Sequence, residues 1–144
     1  MAGPGDPFGG FNFRVEIDGL ADAGFSQVSG LGMTIDTIEY RNGNDPGNSP
    51  HKIAGLTRYG NVTLKRGLVE SLALYEWTRA IADGASDAVR NVVIVLLDAQ
   101  GQPVRQWRLS RARIVSHVSG PLDAASSAVA VEEIVLAHER LEIE

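Results

Sequence analysis

Three histidines, His51, His117 and His138, are the side chains of this sequence best suited to proton transfer or metal ligation near neutral pH. His51 falls in a stretch rich in turn formers, and the other two fall in different apolar-patterned runs. None shares a His-x-Glu or His-x-x-x-His spacing, so no metal-binding residue is expected. Glu132 and Glu133 pair two carboxylates, but adjacent residues of a strand point to opposite faces and cannot act together as acid and base. Ser126 and Ser127 lie in a polar turn without a histidine in support. Gly30-Leu31-Gly32 comes nearest to a phosphate-cradling loop, yet no helix or lysine follows it, so it reads as a bend in a strand. There is no Gly-x-Ser-x-Gly elbow and no P-loop. No catalytic residue and no cofactor is expected, and the chain reads as not an enzyme.

The composition narrows the classes further. The 144 residues are a common size for one domain, so 1–144 is read as a single unit with its own core. Cysteine is absent, which excludes disulfides, thiolate catalysis and cysteine-based metal sites and suits synthesis in the cytoplasm. No apolar run approaches the roughly 20 residues that span a bilayer, so no membrane insertion of the monomer is expected. Residues 1–10 read as a flexible Gly/Pro-rich lead that carries Asp6 instead of a basic region, unlike a secretory signal. The net charge of −5 argues against a free nucleic-acid binder. The one dense basic stretch, Arg105, Arg108, Arg111 and Arg113, spreads over both faces of a strand.

The elements follow from periodicity. Phe11, Phe13, Val15 and Ile17 alternate with polar residues in a first strand. A second runs from Phe25 or Val28 to Arg41; its apolar phase changes between Ile35 and Ile38, which predicts a bulge or bend near Asp36–Thr37. Residues 42–55 lose all periodicity and read as a long loop. Val62–Arg66 form a third strand, and a helix follows, with Ser71 as N-cap, Leu74, Trp77 and Ile81 on one face and Gly84 as its stop. Strands are predicted at 92–97, 104–109, 112–118 and 129–143. The fold class is mainly β, an antiparallel β-sandwich or barrel of about seven strands with one flanking α-helix.

Two of these strands are apolar on both parities. Val92–Leu97 is one; the last strand, with Ile134 and Leu136 on one face and Val131 and Val135 on the other, is the second. One helix cannot cover both, so neighbouring subunits are expected to do so. Val93, Val95, Ile134, Leu136 and His138 are the predicted inter-subunit strand residues.

The words of the sequence add a resemblance. Asp6-Pro7-Phe8, residues 11–19 (Phe-Asn-Phe-Arg-Val-Glu-Ile-Asp-Gly), 24–31 (Gly-Phe-Ser-Gln-Val-Ser-Gly-Leu), 55–67, Leu74-Tyr75-Glu76-Trp77 and 120–141 together resemble the phage tail tube protein family. That family includes the inner tubes of contractile myophage tails and of extracellular contractile injection systems. The resemblance implies a homo-hexameric ring whose sheets join around a lumen, with rings stacking into a tube. Sheath, baseplate and terminator proteins would be its partners, and cargo protein or DNA would pass without specific binding. An acidic lumen would let such cargo slide, because like charges repel. By the same resemblance, Asn42 to Leu56 is the stacking loop, and Asn44, Asp45, Asn48, His51, Lys52, Arg58 and Tyr59 are the inter-ring residues. Two alternatives remain from the sequence: an exported hexameric ring protein of a type VI secretion system, and a monomeric ligand-binding β-barrel.

Overall fold

The structure, a computed structural model, describes residues 5–10, 12–20, 24–44, 46–47 and 49–144. Its elements are β1 (Phe13–Ile17), β2 (Gln27–Ser29), β3 (Met33–Tyr40), β4 (His51–Tyr59), β5 (Val62–Gly67), α1 (Ala73–Ala82), β6 (Arg90–Leu97), β7 (Pro103–Ser119), β8 (Val131–Ala137) and β9 (Arg140–Ile143). The predicted first strand is found from Phe13; Phe11 lies outside the described residues.

The 17-residue strand β7 organises the molecule. Its first half pairs with β6, which pairs with β1, and its opposite edge takes β9. Its second half pairs with β8, then β5, then β2. All these pairings are antiparallel. The ladder on the β8–β9 edge stops between Arg113↔Ala137 and Ser110↔Arg140. At the same level Arg111 has a φ of 53°, and its amide donates to Asn91 Oδ1 at 3.2 Å. The seven-stranded sheet therefore bends at Arg111 and lays one half over the other. It is a sandwich and not a closed barrel: β1 and β2 end the strand path.

The core lies between the halves. Val15 and Ile17, Val92 and Ile94, Leu109, Ala112 and Ile114, Leu141, Ile134 and Leu136, and Val62 and Leu64 all meet there. The helix adds Leu74 and Trp77, as its spacing predicts, and Trp77 Nε1 donates to the Ala88 carbonyl. The helix ends as expected. Gly84, at φ +78°, donates to the Ile81 carbonyl, and the Ala85 amide reaches back to Ala80, which satisfies carbonyls the helix leaves open. Its start is one residue later than predicted: Leu72 is the N-cap, and Ser71 Oγ accepts from Ala73 at 3.2 Å. Between β6 and β7, Asp98 Oδ1 accepts from the amides of Gln100 and Gln102, both at 2.9 Å, and so shapes the hairpin turn.

Three expectations need correction. Strands predicted separately at 104–109 and 112–118 are the one strand β7, because β6 pairs with it on both sides of the left-handed residue Arg111, across a register shift. The long last strand is two, β8 and β9, split where the chain changes its partner along β7. Above all, the irregular segment is shorter than 42–56. His51–Leu56 belongs to β4, which carries no buried residue, so burial never imposed an alternating pattern on it.

Candidate assembly surfaces

β3 and β4 form a two-stranded sheet of their own. Below them, β2 pairs with β5 inside the main sheet, so 27–40 and 51–65 make one long hairpin that leaves the sandwich halfway up. The corner lies at Gly30–Gly32 and Gly60–Asn61. Gly30 has a φ of +91°, and a Cβ there would collide with the Asn61 carbonyl, so the backbones approach closely only because Gly30 has no side chain. The Gly60 amide donates to the Gly32 carbonyl at 3.3 Å, and His138 Nε2 donates to the Gly60 carbonyl at 2.9 Å.

Beyond that corner the arm is exposed on both faces, yet it carries Met33, Ile35, Ile38, Tyr40, Ile53 and Leu56, each between 46% and 70% exposed. The register divides them. Met33 lies opposite Tyr59 and Ile35 opposite Thr57; Thr37 then lies opposite Ala54, Ile38 opposite Ile53 and Tyr40 opposite His51. Between Ile35 and Thr37, β3 advances two residues while β4 advances three, so the bulge predicted near Asp36–Thr37 is present and its extra residue sits on β4. Alternation along β3 then puts Met33 and Ile35 on one face, and Ile38 and Tyr40 on the other.

The seven predicted inter-ring residues do not form one patch. Asp45 and Asn48 lie outside the described residues. Asn44, His51 and Lys52 are at or near the far end of the arm; the His51 ring lies 5.3 Å from that of Tyr40. Arg58 and Tyr59 are at its base, roughly 25 Å away along the strand. There Arg58 Nε donates to Asp36 Oδ2 at 2.9 Å, and Tyr59 packs against the core with its ring 5.7 Å from that of His138.

Of the five predicted inter-subunit strand residues, Ile134 and Leu136 are 0% exposed in the subunit's own core and have no surface to offer a neighbour. Val95 is also buried, while Val93 and His138 are half-buried. The outward parity of β8 is instead Val131, Glu133, Val135 and Ala137, all half-buried. The parity chosen on β8 was thus the inward one.

Sequence reasoning missed a buried ionic cluster. Arg66 Nε donates to Glu132 Oε1 at 2.6 Å, and His117 Nε2 lies 2.9 Å from Glu132 Oε2. The Arg66 guanidinium sits 5.7 Å from the centre of the Phe25 ring, and Tyr75 lies against His117. Burial alone would raise the Glu132 carboxyl. The hydrogen bonds and charges of Arg66 and His117 outweigh it and hold the group below its usual value. Glu133 points the other way, toward Lys65 at 3.7 Å, as strand alternation requires. His117 reaches Glu132 because β7 gains a residue between Ile114 and Ser116, so Ile114 and His117 turn inward together. That bulge has no turn former to announce it.

Among the described residues no group of three or more His, Asp or Glu side chains could hold a metal ion, and no helix is long and apolar enough to cross a membrane. An antiparallel sandwich that sends out a two-faced apolar arm is built to associate with other chains. Residues 9–142 match the family model for the T4-like virus tail tube protein gp19, and the chain belongs to that family. Among solved structures it is similar to a chain of the PVC extracellular contractile injection system sheath–tube complex, at 30% identity and a TM-score of 0.87 over 98% of this chain and 93% of that one. It is also similar to a chain of the anti-feeding prophage tube-terminating cap, at 32% identity and 0.86 over 100% and 95%. Hcp1 from Flavobacterium johnsoniae, 13% identical with a TM-score of 0.57 over 91% and 93%, shares the fold alone. No curated protein matches the chain.

Proposed function

We propose that this chain is the non-enzymatic inner-tube subunit of a contractile, phage tail-like particle of the extracellular injection type. It is made in the cytoplasm and forms hexameric rings that stack around a lumen. The observation that carries this reading is the arm β3–β4. An isolated subunit leaves its aliphatic residues in water on both faces, which a soluble monomer rarely does and an assembling one needs. The family match over 9–142 supports the tube, and relatives at 30% and 32% identity support an injection particle over an Hcp1-like protein, at 13%. Sheath, baseplate and terminator proteins are the partners in this reading, and cargo protein or DNA passes the lumen without a binding site.

Negative-stain microscopy and light scattering of the purified protein test it together. Rings of one diameter, or tubes built from them, are expected at micromolar concentration. A monomer of 15.4 kDa that never yields rings, even when concentrated, would sink the reading.

A further inference from the structure

His138 stands between two places where the chain turns. It follows directly on β8, at the joint where the chain leaves β8 for β9 beside the bend at Arg111. Across from it is the corner from which the β3–β4 arm departs. The half-buried ring touches both. Nε2 lies 2.9 Å from the Gly60 carbonyl oxygen at the corner, and Nδ1 lies 3.3 Å from the Arg140 carbonyl oxygen at the joint. The Gly60 amide is itself bonded to the Gly32 carbonyl, so both polar groups of Gly60 are held.

Both oxygens belong to backbone carbonyls, which accept hydrogen bonds and never donate them. A neutral imidazole carries one N–H, so it satisfies one of these oxygens and turns a lone pair on the other. The imidazolium donates to both. We infer that His138 is a proton-operated latch on the arm. Protonated, its ring bridges Gly60 to Arg140 and fixes the corner to the β8–β9 joint; neutral, it lets one side go, and the base of the arm loosens. The charges around the ring largely cancel and leave the decision to the two carbonyls. Arg111 and Arg113 of β7 line one depression with His138 and Glu139. Glu139 neutralises Arg111 at 2.9 Å, and Glu142 neutralises Arg140 at 2.8 Å. Arg113 opposes a further cation, whereas the Tyr59 ring of β4, its centre 5.7 Å from that of His138, favours one. The latch belongs to the single subunit and works whether or not rings form.

Hydrogen exchange read by mass spectrometry tests the latch across about pH 5 to 8, where histidine side chains change charge. Rates are corrected for the chemical dependence of exchange on pH, and the samples compared are ones that light scattering shows in the same state of assembly. In the wild type, protection of residues 59–62 is expected to fall several-fold as the pH rises. In His138→Gln, whose one side-chain nitrogen cannot reach both oxygens, protection there is expected to be low and flat over the same range. Circular dichroism identifies a variant that has lost its fold. His138→Lys, a cation throughout this range, then decides, and its protection is expected not to fall. Wild-type protection that is equal at both ends of the range would overturn the latch. So would a fall in either variant as large as in the wild type.

Discussion

Arg66 Nε and Glu132 Oε1 meet at 2.6 Å with side chains only 7% and 8% exposed, on neighbouring strands where Arg66 lies directly opposite Glu132. Breaking such a pair leaves a charge buried without its partner, which costs about 3–5 kcal/mol. Arg66→Ala is therefore expected to lower the unfolding free energy by that amount, measured by urea denaturation. Arg66→Met combined with Glu132→Leu should recover most of it, because neither charge is then buried.

The same cluster sets an acid limb to stability. The Glu132 pKa is lowered on folding, so the stabilisation is complete above its unfolded value and is lost as pH falls through the lower folded value. Unfolding free energy should thus decline as pH drops below the usual 4.5 of this carboxyl. Glu132→Gln should start less stable at neutral pH and show a shallower decline. An unchanged slope in acid denaturation curves would place the sensitivity elsewhere.

Trp77 is 1% exposed, donates to the Ala88 carbonyl, and lies beneath the Arg90 guanidinium, 5.1 Å from the ring centre. Arg90 Nη1 is buried with no hydrogen-bond partner among the described residues, so the aromatic face is its main compensation. Trp77→Phe keeps a ring under the cation but abandons the carbonyl, at a cost of about 1–3 kcal/mol. Trp77→Ala loses both and opens a cavity, at about 3–5 kcal/mol. Thermal melts should rank the two in that order.

Gly30 and Gly84 both have positive φ, at +91° and +78°, but their surroundings differ. Nothing lies within 4 Å of a Cβ on Gly84, so Gly84→Ala should cost only the left-handed strain, about 1–2 kcal/mol. On Gly30 the added carbon meets the Asn61 carbonyl, and the strands must part where the arm leaves the sandwich. Gly30→Ala should be the more destabilising of the two in melts and should also impair assembly. Equal melting temperatures would show that the corner yields freely.

These contrasts also explain what the sequence could tell. Strands with one buried face, such as β1 with Val15 and Ile17, announce themselves by alternation, and α1 does so by the spacing of Leu74 and Trp77. β4 has no buried face, so His51–Leu56 reads as loop. Even there the change of apolar parity between Ile35 and Ile38 was visible, and it located the bulge. The Arg66–Glu132–His117 cluster was hidden because it depends on Val115 slipping the register of β7, which involves no glycine, proline or asparagine. The inward parity of β8 was undecidable from a strand apolar on both sides; only its neighbours β5 and β7 settle that Ile134 and Leu136 point inward.

The tip of the arm separates folding from assembly. Residues 41–50 connect Tyr40 to His51, and the described ones there are exposed. Deleting Asn44 to Ser49 leaves Arg41-Asn42-Gly43-Pro50 as the connection, a four-residue loop that still holds an Asn-Gly turn signal. Closing the shorter loop costs about 0.8 kcal/mol less entropy. Against this, the bond from Arg41 Nε to the Gly47 carbonyl is lost, which weighs little at an exposed site. The deletion variant should therefore melt within a few degrees of the parent and keep its strand content by circular dichroism. If the tip reaches the adjacent ring, the variant should form no tubes under conditions where the parent does. Long tubes from a folded deletion variant would show that stacking depends on other surfaces.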